Sequence, residues 1–174
     1  MGIETLNYEE VGRLLDDVGW QMLRELQIDA RISFSELGRR VGLSSPAVAE
    51  RVRRMEEAGI ITGYRACVDP AAVGLPILAI IRLSANDCGW TSERMRTAYE
   101  AEFPELLECH RVTGQDSMVM KVAVRSMAHL EELLDRLTTY GTSTTSMVLS
   151  SPVEGRVISR AMAEGSTELH PQRR

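Results

Sequence analysis

The sequence contains no long apolar run and few cysteines, and each shortage excludes a class of protein. No apolar stretch approaches the roughly 20 residues that cross a bilayer, and the acidic N-terminus lacks the pattern of a signal peptide. We therefore expect a cytoplasmic protein with no contact with a membrane. The cysteines, at positions 67, 88 and 109, are odd in number and widely spaced, which predicts reduced thiols and no disulfide framework.

Histidines are equally few, and their positions do not favour a metal site or an active site. Cys109 lies next to His110, but adjacent residues of a strand point to opposite faces, and no second pair has the spacing of metal ligands. His110, His129 and His170 fall in separate segments, so they do not form a convergent acid–base set. The sequence therefore predicts no metal, no cofactor and no enzyme activity.

The charge of the chain is unevenly distributed. The formal net charge is −5, yet residues 31–65 carry seven arginines against four glutamates, whereas residues 1–30 carry two arginines against seven acids. At 174 residues the chain is long enough for two small domains that each bury a core. The positive charge of one segment is modest, so one copy should bind phosphates weakly, and specific affinity should require two copies on one duplex.

Residues 31–65 carry the signals of two short helices joined by a tight turn. Ser33 and Glu36 form a capping box that should start the first helix, and Gly42 should end it. The segment 44–46, Ser-Ser-Pro, then caps a second helix at once, since proline is tolerated in the first turn. This order of signals predicts a helix-turn-helix.

The second of these helices has two stripes of residues at helical spacing. Val48, Val52 and Met55 should face inward, and a stripe that begins with a small residue and continues with arginines should face a DNA major groove. The alternative is a solvated helix whose arginines only balance nearby glutamates. The residues predicted to face the groove are Ser44, Ser45, Pro46, Ala47, Arg51 and Arg54, with Arg39, Arg40 and Arg53 nearer the phosphates.

Glycines and a third amphipathic segment complete the predicted DNA-binding domain. Gly38 should let the two helices approach closely, and Gly59 should end the second helix before an extended segment to Arg65, the natural place for a small wing. Residues 1–10 have no strong period and predict an irregular arm. A preceding helix is predicted from the spacing of Leu15, Val18, Met22, Leu23 and Leu26.

The second half of the chain alternates strands with helices. Asp69, Pro70, Gly74 and Pro76 predict a linker, and the order that follows is strand, helix, strand, strand, helix, strand, the ferredoxin-like βαββαβ arrangement. The predicted strands are 77–83, 106–113, 117–124 and 144–149, and the predicted helices are 91–103 and one that Ser126 caps and Gly141 ends. The fold class is therefore α+β, with a winged helix-turn-helix domain (1–65), a linker (66–76), a ferredoxin-like domain (77–155) and a flexible tail (156–174).

The first strand of this domain predicts a homodimer. Residues 77–83 are apolar on both alternating faces, although the helices of a ferredoxin-like fold cover one face of the sheet only. The other face needs a partner, and a second copy of the same sheet is the simplest one.

The turn between the second and third predicted strands is the best candidate for an effector site. Gly114 exposes backbone N–H groups, Asp116 offers a carboxylate to an ammonium group, and hydroxyls of the last strand can bind a carboxylate. An amino acid carries both charges. From residue types alone, the alternative is a solvated hairpin turn. The predicted effector-binding residues are Thr113, Gly114, Gln115, Asp116, Ser117, Thr144, Thr145 and Ser146.

Longer runs of the sequence resemble one known family. The run LDDVGWQMLRELQIDARISFSELGRRVGLSSPAVAERVRRMEEAGIITGY resembles the N-terminal half of the Lrp/AsnC, or feast/famine, transcription regulators of bacteria and archaea. ECHRVTGQDSMVMKVAV and STTSMVLSSPV resemble the second half, a ligand-binding and oligomerising domain that commonly builds dimers into octamers. Two positions depart from the family pattern: Gly19 stands where an acid is usual, and Asp116 lies one place before the acid of the G-x-x-D segment.

The resemblance implies a sequence-specific, DNA-binding transcription regulator that an amino acid or similar small effector modulates. Its partners would be double-stranded DNA, the effector, and a second copy within a dimer or octamer. Two alternatives share the layout. One is an amino-acid-sensing subunit that regulates a partner enzyme without DNA, for which a neutral recognition helix is expected, and the other is a haem-pathway decarboxylase-like protein.

Overall fold

The computed structural model describes residues 8–85 and 102–165, and the contacts of the chain divide it into two units. The first unit combines Met1–Ala66 with Val153–Arg174, and the second is Cys67–Pro152. The chain therefore leaves the first unit once and later returns to it. No described helix is both long enough and apolar enough to cross a membrane.

The described residues of the first unit contain the predicted three-helix bundle, a short helix before it and a short C-terminal helix. Residues 8–10, predicted to be irregular, begin a helix of only seven residues, which is too short for a hydrophobic period to show. The helices are α1 (Tyr8–Leu14), α2 (Asp17–Ile28), α3 (Phe34–Val41) and α4 (Ser45–Glu57).

The predicted ends of α3 and α4 are confirmed by their capping geometry. The Ser33 hydroxyl accepts a hydrogen bond from the Glu36 N–H at 3.2 Å, and Gly42 ends α3 in the left-handed region at φ 73°. The Ser44 hydroxyl accepts from the Ala47 N–H at 3.4 Å and starts α4. These local signals alone define the turn of the helix-turn-helix.

Side chains of α2, α3 and α4 form the core of this unit. Phe34, the first residue of α3, is 40% exposed, whereas Leu37, one turn later, is buried. Gly38 permits a close approach, as predicted, since a Cβ there would lie 2.4 Å from the Leu43 carbonyl oxygen. The buried core residues include Met22, Leu23, Leu26, Leu37, Val41, Val48, Val52 and Met55.

The segment that follows α4 does not form the predicted wing. The Ile60 and Ile61 N–H groups both donate to the Met55 carbonyl, at 2.9 and 3.1 Å, so the chain wraps around the end of α4. All strands in the described residues belong to the sheet of the second unit. The helix-turn-helix is therefore present without a β-hairpin at residues 60–65.

The second unit has the predicted ferredoxin-like sheet. Its four antiparallel strands lie in the order β2-β3-β1-β4, with a helix after β3. Of the helix predicted at 91–103, residues 91–101 lie outside the described part of the chain. The elements are β1 (Ile77–Ala85), β2 (Leu106–Arg111), β3 (Met118–Val124), α5 (Met127–Thr138) and β4 (Gly141–Met147), and a short helix of the first unit follows, α6 (Arg160–Glu164).

The last strand begins three residues earlier than predicted. The helix before it ends at Thr138, so the prediction that Gly141 ends this helix was wrong. Gly141 pairs with Ala85, and a Cβ at this position would lie 2.1 Å from the Ser84 carbonyl oxygen. The strand therefore requires a glycine at this position, although in the sequence that glycine resembles a helix stop signal. β2 in turn ends at Arg111, two residues early, so residues 112–117 form the connection to β3.

The two faces of the sheet differ in composition. Ala79, Ile81 and Leu83 of β1 are fully buried with apolar residues of β3 and α5. Leu78 and Ile80, on the opposite face, are half-buried, and Arg82 beyond them is exposed. We call this second side the open face.

A charged cluster lies at the start of β2. The Glu105 side chain is only 6% exposed, and its Oε1 atom lies 2.8 Å from His129 Nε2 and 2.5 Å from Arg136 Nη2. His129 Nδ1 accepts from the Arg125 N–H, so Nε2 carries the proton and donates to Glu105. Burial alone would raise the pKa of Glu105, but its own N–H, His129 and Arg136 together hold that pKa below its usual value. The cluster fastens β2 to α5.

Candidate nucleic-acid interface and effector site

The start of α4 is open to solvent. Ser44, Ser45 and Pro46 are exposed, and Ala47 beside them is half-buried. Small side chains at a helix N-terminus leave room for the helix to approach another surface, and a helix of this kind fits the DNA major groove.

Two predicted arginines extend from the exposed side of α4. Arg53 and Arg54 have side chains that are 53% and 57% exposed. Glu50 accepts from both, at 2.7 Å from Arg53 Nη2 and 3.0 Å from Arg54 Nε, and Glu57 also binds Arg53. Exposed pairs of this kind are weak, so both guanidinium groups remain available to phosphates or bases.

Two further arginines that are predicted to lie near DNA phosphates belong to the last turn of α3. Arg39 and Arg40 donate to Glu36 at 2.8 and 2.9 Å, and Arg40 also contacts Glu25 at 2.5 Å. The hydrogen bonds from Arg39 and Arg40 lower the pKa of Glu36 to about 2. Glu36 therefore binds these arginines and not the Ser33 N–H, which corrects the second half of the predicted capping box.

Arg51, unlike Arg53 and Arg54, binds residues outside its own helix. Its side chain is only 25% exposed, and Nη2 lies 2.5 Å from Asp16 Oδ1 and 3.5 Å from the Leu14 carbonyl oxygen. Asp16 caps α2 through the Gly19 N–H at 2.7 Å, and its pKa is lowered chiefly by the hydrogen bond from Arg51. Arg51 therefore ties α4 to the junction of α1 and α2.

The structure gives Arg51 an intramolecular partner that its position in the sequence does not reveal. Arg51 directly precedes the buried Val52, just as Arg54 directly precedes the buried Met55, so helical spacing does not distinguish the two. The position of Asp16 does, because a long side chain at the edge of the core turns toward the partner within its reach. Sequence reasoning missed Asp16 as its partner. An available signal was the acidic pair at positions 16 and 17, which stands where the N-cap of α2 is expected.

The predicted effector turn packs against the end of β1. Ser117 donates its N–H to the Leu83 carbonyl at 2.8 Å, and its hydroxyl accepts from the Ala85 N–H at 3.2 Å. Ser84 Oγ donates to the Gln115 carbonyl at 2.9 Å. The Ser117 side chain and the Gln115 carbonyl therefore hold the turn in place, while Gly114 supplies the positive φ of 119° that the turn requires.

A pair of opposite charges lies beside this turn on the open face. Asp116 Oδ2 is 3.9 Å from Arg82 Nη1, and Thr144 is the cross-strand partner of Arg82 on β4. Sequence reasoning missed Arg82, although a single cation within an apolar strand is a visible signal. The arrangement places a carboxylate, a guanidinium group and a hydroxyl near one another.

The remaining predicted effector residues do not all share this side of the sheet. Ser146 pairs with Ile80 on the open face, whereas Thr145 pairs with the buried Ile81 and faces the helix-covered side. Thr145 is therefore separated from Thr144 and Ser146, because successive strand residues alternate between faces. Thr113 is exposed in the connection between β2 and β3.

The described histidines lie in different places. His110 Nε2 is 3.6 Å from Glu108 on β2, His129 belongs to the Glu105 cluster, and His170 lies outside the described residues. Within residues 8–85 and 102–165, no three His, Cys, Asp or Glu side chains are grouped closely enough to hold a metal ion.

Two family models match this chain, one in each half. Residues 15–56 match the AsnC-type helix-turn-helix domain, a range that includes α3 and all but the last residue of α4. Residues 91–158 match the Lrp/AsnC ligand-binding domain, which includes β2, β3, α5 and β4.

Individual relatives match over most of both chains. The chain is 39% identical over 137 residues to YezC, an HTH-type transcriptional regulator of Bacillus subtilis, a match that covers 79% of this chain and 95% of YezC. The crystal structure of LrpA from Mycobacterium tuberculosis superposes with a TM-score of 0.69 and 35% identity, over 82% of this chain and 97% of that one. The feast or famine regulatory protein of M. tuberculosis, complexed with L-methionine, gives a TM-score of 0.73 at 35% identity, with the same coverages of 82% and 97%.

Proposed function

Because the chain belongs to the Lrp/AsnC family of helix-turn-helix transcriptional regulators, we propose that paired copies insert α4 into successive major grooves of one DNA duplex. The observation that carries this proposal is the exposed, small-residue start of α4 with the arginines of α3 and α4 around it. Groove contacts come from Ser44, Ser45, Pro46 and Arg54, and phosphate contacts come from Arg39, Arg40 and Arg53.

Pairing of the copies uses the open face of the sheet. Leu78, Ile80 and Val119 are half-buried apolar residues on this face, and a second sheet would remove them from water. Two copies related by a twofold axis would present two α4 helices to one duplex, which raises both affinity and specificity. Assembly of such dimers into octamers is an extension of the same proposal.

The glutamates around the arginines of α4 compete with DNA for them. Replacing Glu50 with glutamine is expected to tighten binding to a random duplex severalfold, because Arg53 and Arg54 lose their shared carboxylate partner and the surface becomes more positive. The measurement is fluorescence anisotropy with a labelled duplex over a range of salt concentrations. The difference in affinity between the variant and the unmodified chain should be larger at low salt than at high salt.

Glu132→Gln is the matched control for this experiment. Glu132 is an exposed glutamate of α5, in the second unit, so the same change of charge should leave DNA affinity unchanged. Equal effects of the two substitutions, or no binding of the unmodified full chain to any duplex at low salt, would contradict the DNA contacts proposed for α4.

The second unit binds an amino acid at the turn between β2 and β3. Asp116 faces the ammonium group and Arg82 the carboxylate, with Thr144 as a further donor, and these opposite charges match a zwitterion. The two side chains are 3.9 Å apart and partly exposed, so they form no tight pair that a ligand would have to break.

Titration calorimetry with L-methionine and other amino acids tests this site. We expect Asp116→Asn and Arg82→Gln each to weaken binding by tenfold or more, roughly the effect of removing one charged hydrogen-bonding partner. Glu108→Gln, which changes an acid on the same strand pair as the turn, should leave affinity unchanged. Unaltered binding by both variants would disprove the site, and no heat with any amino acid would indicate a regulator without such an effector.

A further inference from the structure

The C-terminal part of the described chain folds against the DNA-binding unit. Residues 156–174 were predicted to be a flexible tail, but residues 160–164 form α6, and the segment contacts α2. α6 lies beyond residue 158, where the match to the ligand-binding domain ends. We call residues 157–165 the latch.

One glutamine of α2 holds the backbone of the latch. Gln27 Nε2 donates to the Ile158 carbonyl at 3.1 Å, and the Ile158 N–H donates to Gln27 Oε1 at 2.9 Å. A single amide group therefore satisfies both backbone groups of one residue, as a neighbouring strand would. The same Nε2 also donates to the Leu23 carbonyl at 3.2 Å, which fixes the orientation of the side chain.

An arginine of the latch binds the other end of α2. Arg160 forms an ion pair with Asp17, the first residue of α2, and a second with Glu164 at 2.8 Å. Asp17 is adjacent to Asp16, which holds Arg51 of α4 at 2.5 Å. At the N-terminus of α2, Asp17 thus binds the latch and the adjacent Asp16 binds α4, the helix that we propose reads DNA.

The latch also forms one side of a cavity in this unit. The cavity has a volume of about 400 Å³, and Trp20, Leu23, Tyr64 and Ile158 are among the residues that line it. Its lining includes Ile158 of the latch and no residue of α4.

We propose that the latch braces α2 and thereby stabilises the Asp16–Arg51 contact that positions α4. Release of the latch loosens the N-terminus of α2 and weakens DNA binding, although no DNA-contacting residue changes. The DNA-binding part of this inference depends on the proposed function, whereas the attachment of the latch to α2 does not.

Limited trypsin digestion tests the attachment. Gln27→Glu is nearly isosteric but replaces the donor that binds the Ile158 carbonyl with a carboxylate oxygen. Cleavage after Arg160, followed by mass spectrometry, should then become roughly five- to thirtyfold faster. The rate should rise by this factor because the loss of such contacts increases the fraction of molecules with a detached latch by the same factor. Gln21→Glu is the matched control, because the amide of Gln21 binds the Arg40 carbonyl of α3.

Tryptophan fluorescence and DNA binding test the consequence. In a Trp90→Phe background, Trp20 is the only tryptophan. Arg160→Ala in this background should shift the Trp20 emission to the red. It should also weaken DNA binding at least about twofold, which is the lower end of the coupling measured between distant sites. Arg156→Ala removes the same charge from an exposed position before the latch and should change neither measurement.

The outcomes separate the two proposals. Unchanged trypsin cleavage in Gln27→Glu together with unchanged Trp20 emission in Arg160→Ala would overturn the latch. A released latch with unchanged DNA affinity would overturn its role in positioning α4. Failure of the unmodified chain to bind DNA would overturn the proposed function, while the digestion and fluorescence results would still decide whether the latch is attached.

Discussion

Replacing Arg54 with alanine is expected to lower affinity for a specific duplex by roughly five- to 150-fold, which corresponds to about 1–3 kcal/mol for a guanidinium group that contacts a base. The free energy of unfolding should hardly change, because Arg54 is 57% exposed and its pair with Glu50 lies on the surface. Affinity is measured by anisotropy on a duplex selected by the full chain from a random pool, and stability by chemical denaturation.

Arg51→Ala is the matched comparison. It should lower the free energy of unfolding without a specific loss of affinity for the selected duplex. It removes the same charge from the same helix, but it breaks the 2.5 Å contact with Asp16, so the first unit should lose about 1–3 kcal/mol of stability. Its effect on DNA should follow from the loosened position of α4 and should not depend on the base sequence of the duplex. Unchanged affinity in Arg54→Ala would remove that residue from the proposed groove contacts.

Replacing Gly19 with alanine is expected to destabilise the first unit by about 3 kcal/mol or more, since a Cβ there would lie only 1.8 Å from the Leu14 carbonyl oxygen. That carbonyl belongs to the backbone at the end of α1 and also lies near Arg51, so it has little room to move. Unfolding of the unit can be followed by Trp20 emission in the Trp90→Phe background.

Gly12→Ala is the control for this prediction. Gly12 lies inside α1 with no atom within 4 Å of its added Cβ, so alanine should be neutral or stabilise the helix by up to about 1 kcal/mol. Similar stability of the Gly19 and Gly12 variants would contradict the close contact between Leu14 and α2.

Features that depend on neighbouring residues were predictable from the sequence. Ser33, Gly42 and Ser44 act through backbone groups within a few residues of themselves, so the turn between α3 and α4 follows from local chemistry alone. The buried stripe of α4 and the strand order of the second unit follow from periodicity in the same way. Local signals failed where one residue has two uses, as at Gly141, which resembles a stop signal but pairs within a strand.

The partners of long polar side chains were decided by the tertiary structure. Arg51 and Arg54 look equivalent on a helical projection, yet one turns toward Asp16, 35 residues away in sequence, and the other remains exposed. Gln27 similarly binds Ile158 from the far end of the chain.

The sequence by itself therefore determined the helix-turn-helix, the ferredoxin-like sheet and the family of this protein, because capping and periodicity act over a few residues. Only the tertiary structure decided that Arg51 is an anchor, that Arg82 accompanies Asp116, and that the C-terminal segment is attached to α2. The physical reason is that a long, flexible side chain reaches whichever oppositely charged or hydrogen-bonding group the fold brings near it. The spacing of residues along the sequence does not identify that neighbour.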